Sequence, residues 1–110
     1  MANQELAEYI MEQLSPLEEV RKLPMMGGYI FYYREKVIGG IYQGRFLVKD
    51  VPAARKYMPD SVPELPYPGA GKLNLPVTIL EDGKKLCAMV EEMFPQLPQR
   101  RPRKRKTEKG

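Results

Sequence analysis

Few side chains in this chain of 110 residues could carry covalent or acid–base chemistry. The single thiol is Cys87, with Lys84 one helical turn away as the only cation that could lower its pKa and make it a nucleophile. Histidine is absent. That removes the commonest general base and the commonest metal ligand, and it makes a Cys-His pair impossible. The carboxylate pairs Glu18-Glu19, Glu81-Asp82 and Glu91-Glu92 are adjacent residues, which on a helix point in different directions and read as solvated surface. Lys49-Asp50 could matter if the lysine were buried, but Asp50 stands where a helix needs a cap and Lys49 reads as a strand-end or salt-bridging residue. One Cys and no His leave no zinc-type cluster. The residues therefore predict no catalytic group, no metal and no cofactor, and the chain is not expected to be an enzyme.

The remaining chemistry is electrostatic. Net charge is +4, with 18 Lys and Arg against 14 acidic residues. Residues 100–110 hold seven of those basic residues and one acid, a net +6, which leaves −2 for residues 1–99. Basicity thus belongs to a tail, in which Arg100, Arg101, Arg103, Lys104, Arg105 and Lys106 could contact phosphates, the log–log salt slope being at most about −6 if all seven basic side chains of residues 100–110 engage. A tail of this kind grips backbones and rarely reads bases, and solubilisation is its bland alternative. No apolar run reaches the roughly 18–20 residues of a membrane span. The acidic, amphipathic start does not read as a signal peptide, and one free Cys suits a reducing, cytoplasmic compartment.

The elements that position these groups follow from periodicity and turn residues. Leu6, Tyr9, Ile10, Gln13 and Leu14 trace one face of a helix over 4–14, with Asn3 as its cap. Ser15-Pro16-Leu17-Glu18 either opens one further turn at 16–20 or breaks the helix. Three strands follow, over 29–33, 36–42 and 45–49, reversed at Arg34-Glu35 and at Gln43-Gly44. In the first, Tyr29, Phe31 and Tyr33 share one face, while Ile30 and Tyr32 share the other. Asp50 caps a short helix over 51–58 with Pro52 in its first turn. A Pro/Gly-rich loop over 59–71 holds a short edge strand near 65–67, and a weak strand spans 72–77 with Pro76 near its end. Asp82 caps a last helix bearing Leu86, Met89, Val90, Met93 and Phe94 at helical spacing. From Gln96 onward no core pattern remains. The expected organisation is one domain over 1–95 and a basic, disordered tail over 96–110.

Two patterns admit a sharper meaning. Met25-Met26-Gly27-Gly28 could be a ligand-approaching glycine loop, but it lacks G-x-G-x-x-G and a following helix, so a turn or bulge is the expected role. Tyr29, Tyr32, Tyr33 and Tyr42 could form a stacking platform for bases, but the consensus of such sheets is missing, and packing in a core or interface is expected. Gly39-Gly40 inside a strand marks a bulge or a close approach of another backbone.

On these residues the segment from Met25 to Asp50 resembles the N-terminal domain of the TfoX/Sxy family of bacterial competence regulators. Met25, Gly27 and Gly28 match its Met-Phe-Gly-Gly-type turn, with Met26 where Phe is usual. Gly39-Gly40 falls at its second element, and Phe46, Leu47, Val48, Lys49 and Asp50 match its closing strand. The similarity covers roughly residues 4–95, while the second, helical domain of full regulators has no counterpart here. The resemblance implies a two-layer α+β fold, an antiparallel sheet packed by helices in the order α-β3-α-β2-α. Met25, Gly27, Gly28, Gly39, Gly40, Phe46, Lys49 and Asp50 would then be structural. It also implies a non-enzymatic regulatory or adaptor domain that works through a protein partner. Nucleic-acid binding by the tail is the alternative, and an edge strand near 72–77 permits a homodimer.

Overall fold

The computed structural model describes residues 3–98. The protein is α+β, with a five-stranded antiparallel sheet and three α-helices. Helix α1 spans Asn3–Gln13 and is followed by strands β1 (Val20–Met25), β2 (Gly28–Tyr33), β3 (Lys36–Tyr42) and β4 (Arg45–Lys49). Helix α2 (Pro52–Tyr57), strand β5 (Asn74–Pro76) and helix α3 (Gly83–Met93) complete the fold, and a 3-10 turn over Phe94–Gln96 ends it. The sheet order is β1-β2-β3-β4-β5, so every strand pairs with its neighbour in sequence.

The element order differs from the expected α-β3-α-β2-α in two places. Four strands precede α2, because Val20–Met25 forms an edge strand where no strand was expected. Pro24 weakens its signal, yet an edge strand tolerates a residue without an N–H. The strand expected near 65–67 is reduced to one bridge, Glu64 with Asn74, made by two backbone hydrogen bonds of 2.8 Å. That bridge also covers part of the outer edge of β5, the edge expected to be free for dimerisation. Ser15-Pro16 breaks the first helix: a turn and a bend lead directly to Glu19 at φ 64° and into β1.

Three two-residue reversals build the meander. Met26-Gly27, Arg34-Glu35 and Gln43-Gly44 all have positive φ at both central positions, the signature of the type I′ turn that suits twisted hairpins. Glycine takes this conformation freely, whereas Gln43 at φ 54° is strained. Asparagine tolerates that region best among residues with a side chain. Gln43→Asn is therefore expected to stabilise the protein by about 0.5 kcal/mol, a rise of a few degrees in Tm in a thermal melt. An unchanged or lowered Tm would refute the strain.

The core draws on one parity of the sheet. Phe31 and Tyr33 of β2, Phe46 and Val48 of β4 and Leu75 of β5 are buried together with side chains from all three helices. Helix α1 contributes Ala7 and Ile10, continued by Leu14, and α3 contributes Leu86, Met89, Val90 and Met93, all at 0% exposure. Each large side chain so buried stabilises by roughly 1.5–3 kcal/mol before entropy is counted. The register slips between Phe31 and Tyr32, leaving Ile38 as the extra residue of a bulge that turns it fully into the core. Of the two meanings expected for Gly39-Gly40, the close approach holds at both glycines, while the bulge falls just before them, at Ile38.

The packed unit extends past the expected boundary at 95. Leu97 is 4% exposed and belongs to the core. The Gln96 side chain accepts a hydrogen bond from the Ala53 amide at 2.8 Å, satisfying one of the orphan donors at the start of α2. Asp50 was expected in that role but does not fill it. The N-cap position is Val51, without a side-chain cap, and Asp50 pairs with Arg55. Asp82 does cap α3, accepting from the Lys85 amide at 3.1 Å. Asn3, expected to cap α1, is itself the first described helical residue, and its Nδ2 donates to the Gly27 carbonyl at 2.7 Å.

Candidate functional site

Alternation along β2 splits the tyrosines that sequence grouped together. Tyr33 is buried and meets Phe94 edge-on at 5.4 Å, and Tyr29 packs against the same core. Tyr32 and Tyr42 lie on the opposite face, with Ile30, Gly40 and Leu47 between them in register. Tyr67, from the 59–73 loop, joins them with its ring 5.9 Å from that of Tyr42. The Arg21 guanidinium lies 5.1 Å from the centre of Tyr32, within cation–π range. Burial pushes the Tyr42 phenol above its ordinary pKa, and Tyr67 and then Tyr32 add to the shift. Tyr42 is therefore a neutral hydroxyl near pH 7, able both to donate and to accept.

Arg45 holds this arrangement in place. Its guanidinium pairs with the Glu64 carboxylate and donates to the Pro66 carbonyl at 3.1 Å. Those bonds fasten the loop to β4 and set Tyr67 over Tyr42. The Tyr42 ring in turn folds back along its own strand over Gly40, where a Cβ would come within 3.0 Å of it. Between Met25, Met26, Tyr42, Gln43 and Tyr67 lies a cleft of about 200 Å³. Its rim is apolar and exposed: Met25 is 47% accessible, Met26 82% and Tyr67 39%, with Leu23 nearby at 43%. Sequence reading missed Tyr67 and Arg45. Proline on both sides of Tyr67 was the signal of a stiff loop fit to present a ring.

The other expected site residues take structural places. Met25 ends β1, Gly27 sits in the first turn, and Gly28, Gly39 and Gly40 lie where neighbouring strands approach closely. Phe46 is in the core, 5.5 Å from Phe31. Lys49 ends β4 half-buried, so of its two expected roles the strand-end one holds; it makes no ion pair with any described residue. The basic residues Arg100, Arg101, Arg103, Lys104, Arg105 and Lys106 lie outside the described residues.

Cys87 is 7% exposed and donates to the Gln13 carbonyl at 3.3 Å. Burial, with Glu91 adding, pushes its thiol up rather than down, so Lys84 does not make it a nucleophile. The Glu92 carboxylate is engaged by Tyr57 and Lys56, which hold it below the usual carboxylate range. Among the described residues no group of three His, Cys, Asp or Glu could hold a metal ion, and no helix is long and apolar enough to cross a membrane.

Asp50 accepts two hydrogen bonds from Arg55, at 2.7 and 2.8 Å. They lower its pKa from the ordinary 3.8, opposed by some burial and reinforced by the Arg55 charge. A folded-state pKa below the unfolded one stabilises above the unfolded value, and that stability is lost as pH falls through the folded value. The stability gap between the protein and Asp50→Asn is thus expected to be constant above about pH 5 and to shrink as pH falls below about 4 in acid-unfolding curves. A gap that stays level down to about pH 2 would show that the pair contributes nothing through charge.

No known family profile matches the chain, and no solved structure matches it. One curated protein does, the "Uncharacterized 12.7 kDa protein in trpE 5'region" of Spirochaeta aurantia. It is 31% identical over 101 residues, which cover 92% of this chain and 88% of that protein. With identity at that level along nearly the whole of both sequences, the chain belongs to the same family as this Spirochaeta aurantia protein.

Proposed function

We propose that the protein is a non-enzymatic regulatory or adaptor domain, akin to the N-terminal domain of the TfoX/Sxy competence regulators, that binds another protein on its tyrosine face. In this reading the domain has two layers, with helices on one side of the sheet, the 59–73 loop over part of the tyrosine face, and the cleft at the end of that face as the working surface. The observation that carries it is the exposed group of Leu23, Met25, Met26 and Tyr67 around the cleft. Contiguous exposed apolar side chains on a small domain mark interaction sites. Tyrosine supplies a rigid anchor there, and methionine an adaptable surface.

A photo-crosslinking residue at Leu23, introduced into the full chain in cells, tests this reading. A discrete heterologous protein adduct is expected, reduced about tenfold by Tyr67→Ala, a loss of roughly 1.4 kcal/mol of binding at an interface anchor. The variant's melting curve should stay close to that of the parent. An adduct indifferent to Tyr67, or adducts to copies of the same chain alone, would set the reading aside.

The charge of +6 over residues 100–110 favours a second reading, a nucleic-acid-binding accessory protein. Replacing the six basic residues from Arg100 to Lys106 by glutamine would then remove DNA and RNA binding together with its salt dependence. Equal binding before and after the replacement would take the tail out of the account.

A further inference from the structure

At the end of the sheet far from the cleft, Lys49, Asp50, Lys72, Leu73, Asn74 and Pro98 line a hollow of about 120 Å³. We propose that this hollow is a binding site for a phosphate group, held by the Lys49 and Lys72 ammonium groups and the Asn74 side-chain amide. It lies on the same face of the sheet as the tyrosines but at the opposite end from the cleft, and it does not rest on that reading.

Three observations lead there. Asn74 is the one buried polar residue among the described ones, at 4% exposure. Its backbone is fully engaged with Glu64 and paired to Lys49, yet its carboxamide meets no hydrogen-bond partner among the described residues. Folded proteins seldom leave a buried amide unsatisfied, and this one lines a cavity. Its two N–H donors are the groups an oxyanion takes.

Next, Lys49 stands opposite Asn74 in the β4–β5 register, which sends both side chains to the same face. Neither Lys49 nor Lys72 makes an ion pair with a described residue. Burial lowers the Lys49 pKa, and the nearby charge of Lys72 lowers it further. Two like charges brought together at a half-buried place are unfavourable until an anion joins them.

Finally, the one acid in the lining does not oppose this. The Asp50 carboxylate is held by the Arg55 fork at 2.7 and 2.8 Å, so its charge is already matched. The cavity has about four times the ~30 Å³ that one water occupies in the liquid, which is room for a tetrahedral oxyanion. Two lysine point charges and an amide, without an arginine fork, suit a phosphate that is gripped by charge.

The phosphate could be free or part of a nucleic-acid backbone, and the test separates the two. The full chain is titrated with inorganic phosphate, and separately with a short oligothymidylate, against sodium chloride at matched ionic strength. The Asn74 side-chain amide resonances and Tm are followed. Saturable movement of the Asn74 amide signals is expected, with Tm rising by about 5 °C at ten times Kd. Lys72→Gln, an exposed change that leaves the fold intact, should weaken the response about tenfold, and Lys49→Gln should do the same.

A response to inorganic phosphate alone identifies a free phosphate or a small phosphate ester. A response to both, with mutual displacement, identifies a phosphodiester port. No movement of the Asn74 amide with either, the same movement with chloride, or full retention in Lys49→Gln and Lys72→Gln would each overturn the proposal.

Discussion

Gly39→Ala is expected to destabilise the protein by about 4 kcal/mol or more, although it adds a single methyl group. A Cβ at Gly39 would lie 2.1 Å from the Leu47 carbonyl oxygen and 2.7 Å from the Val48 Cα. Both are backbone atoms of β4, so no rotamer change can clear them. The strand itself must move away, and with it go the pairings of Gly39 with Val48 and of Gly40 with Leu47. These pairings lie inside the sheet, and Leu47 and Val48 are both fully buried, so the displacement reaches both faces at once. Typical domains have only about 5–15 kcal/mol in total, and such a loss brings the melting temperature down by roughly 15–30 °C. Gly71→Ala is the control, because nothing lies within 4 Å of its Cβ position. A Gly39→Ala protein that melted within a few degrees of the Gly71→Ala protein would show that β4 yields, and the account of the glycine pair would fail.

Phe31→Ala carries the other large effect, about 3–5 kcal/mol. Phe31 is the largest of the fully buried side chains and sits 5.5 Å from Phe46, the planes tilted at 59°. Its removal loses the transfer energy of the ring and the aromatic pair, and it leaves a void under the helices that the closely set strands cannot collapse to fill. Phe31→Leu keeps most of the volume and should lose less than half as much. Chemical denaturation of the three proteins separates the outcomes. Equal losses for alanine and leucine would point to the ring pair alone, and a small loss for both would mean that the core repacks.

Much of the α+β fold was legible in the sequence because its turns and periodicities are local. Gln43-Gly44 and Arg34-Glu35 announce reversals, the aromatics of β2 alternate, and α3 shows its stripe and its Asp82 cap. Strand β1 was hidden because Val20, Arg21, Lys22 and Pro24 alternate weakly, and an edge strand needs little apolar surface. The Met26-Gly27 turn, with runs of equal length on either side, was the available signal for it. Asp50 misled because a short acidic side chain before a proline looks like a cap. Arg55, five residues on, competes for it with two charged hydrogen bonds, and Gln96 takes over at the helix start from the far end of the chain. The tyrosine cluster was half legible. Strand parity separates Tyr32 from Tyr33, but no local pattern says that a loop brings Tyr67 onto Tyr42. That the Lys49 ammonium and the Asn74 carboxamide meet no partner among the described residues is a property of tertiary contacts and leaves no trace in composition.

The order β1-β2-β3-β4-β5 has a kinetic consequence. Each of the first three pairings closes across two residues, so the chain gives up little loop entropy before a ladder rewards it. Most sheets fold slowly because their partners are far apart in sequence. Here four of the five strands pair locally and are expected to form faster than strands whose partners are distant. The slow step then falls on β5, whose contact with β4 must wait for the chain from Asp50 to Leu73 to fold back. That step completes the pairing of Lys49 with Asn74, so within the sheet the last part expected to form is the end where a phosphate would bind.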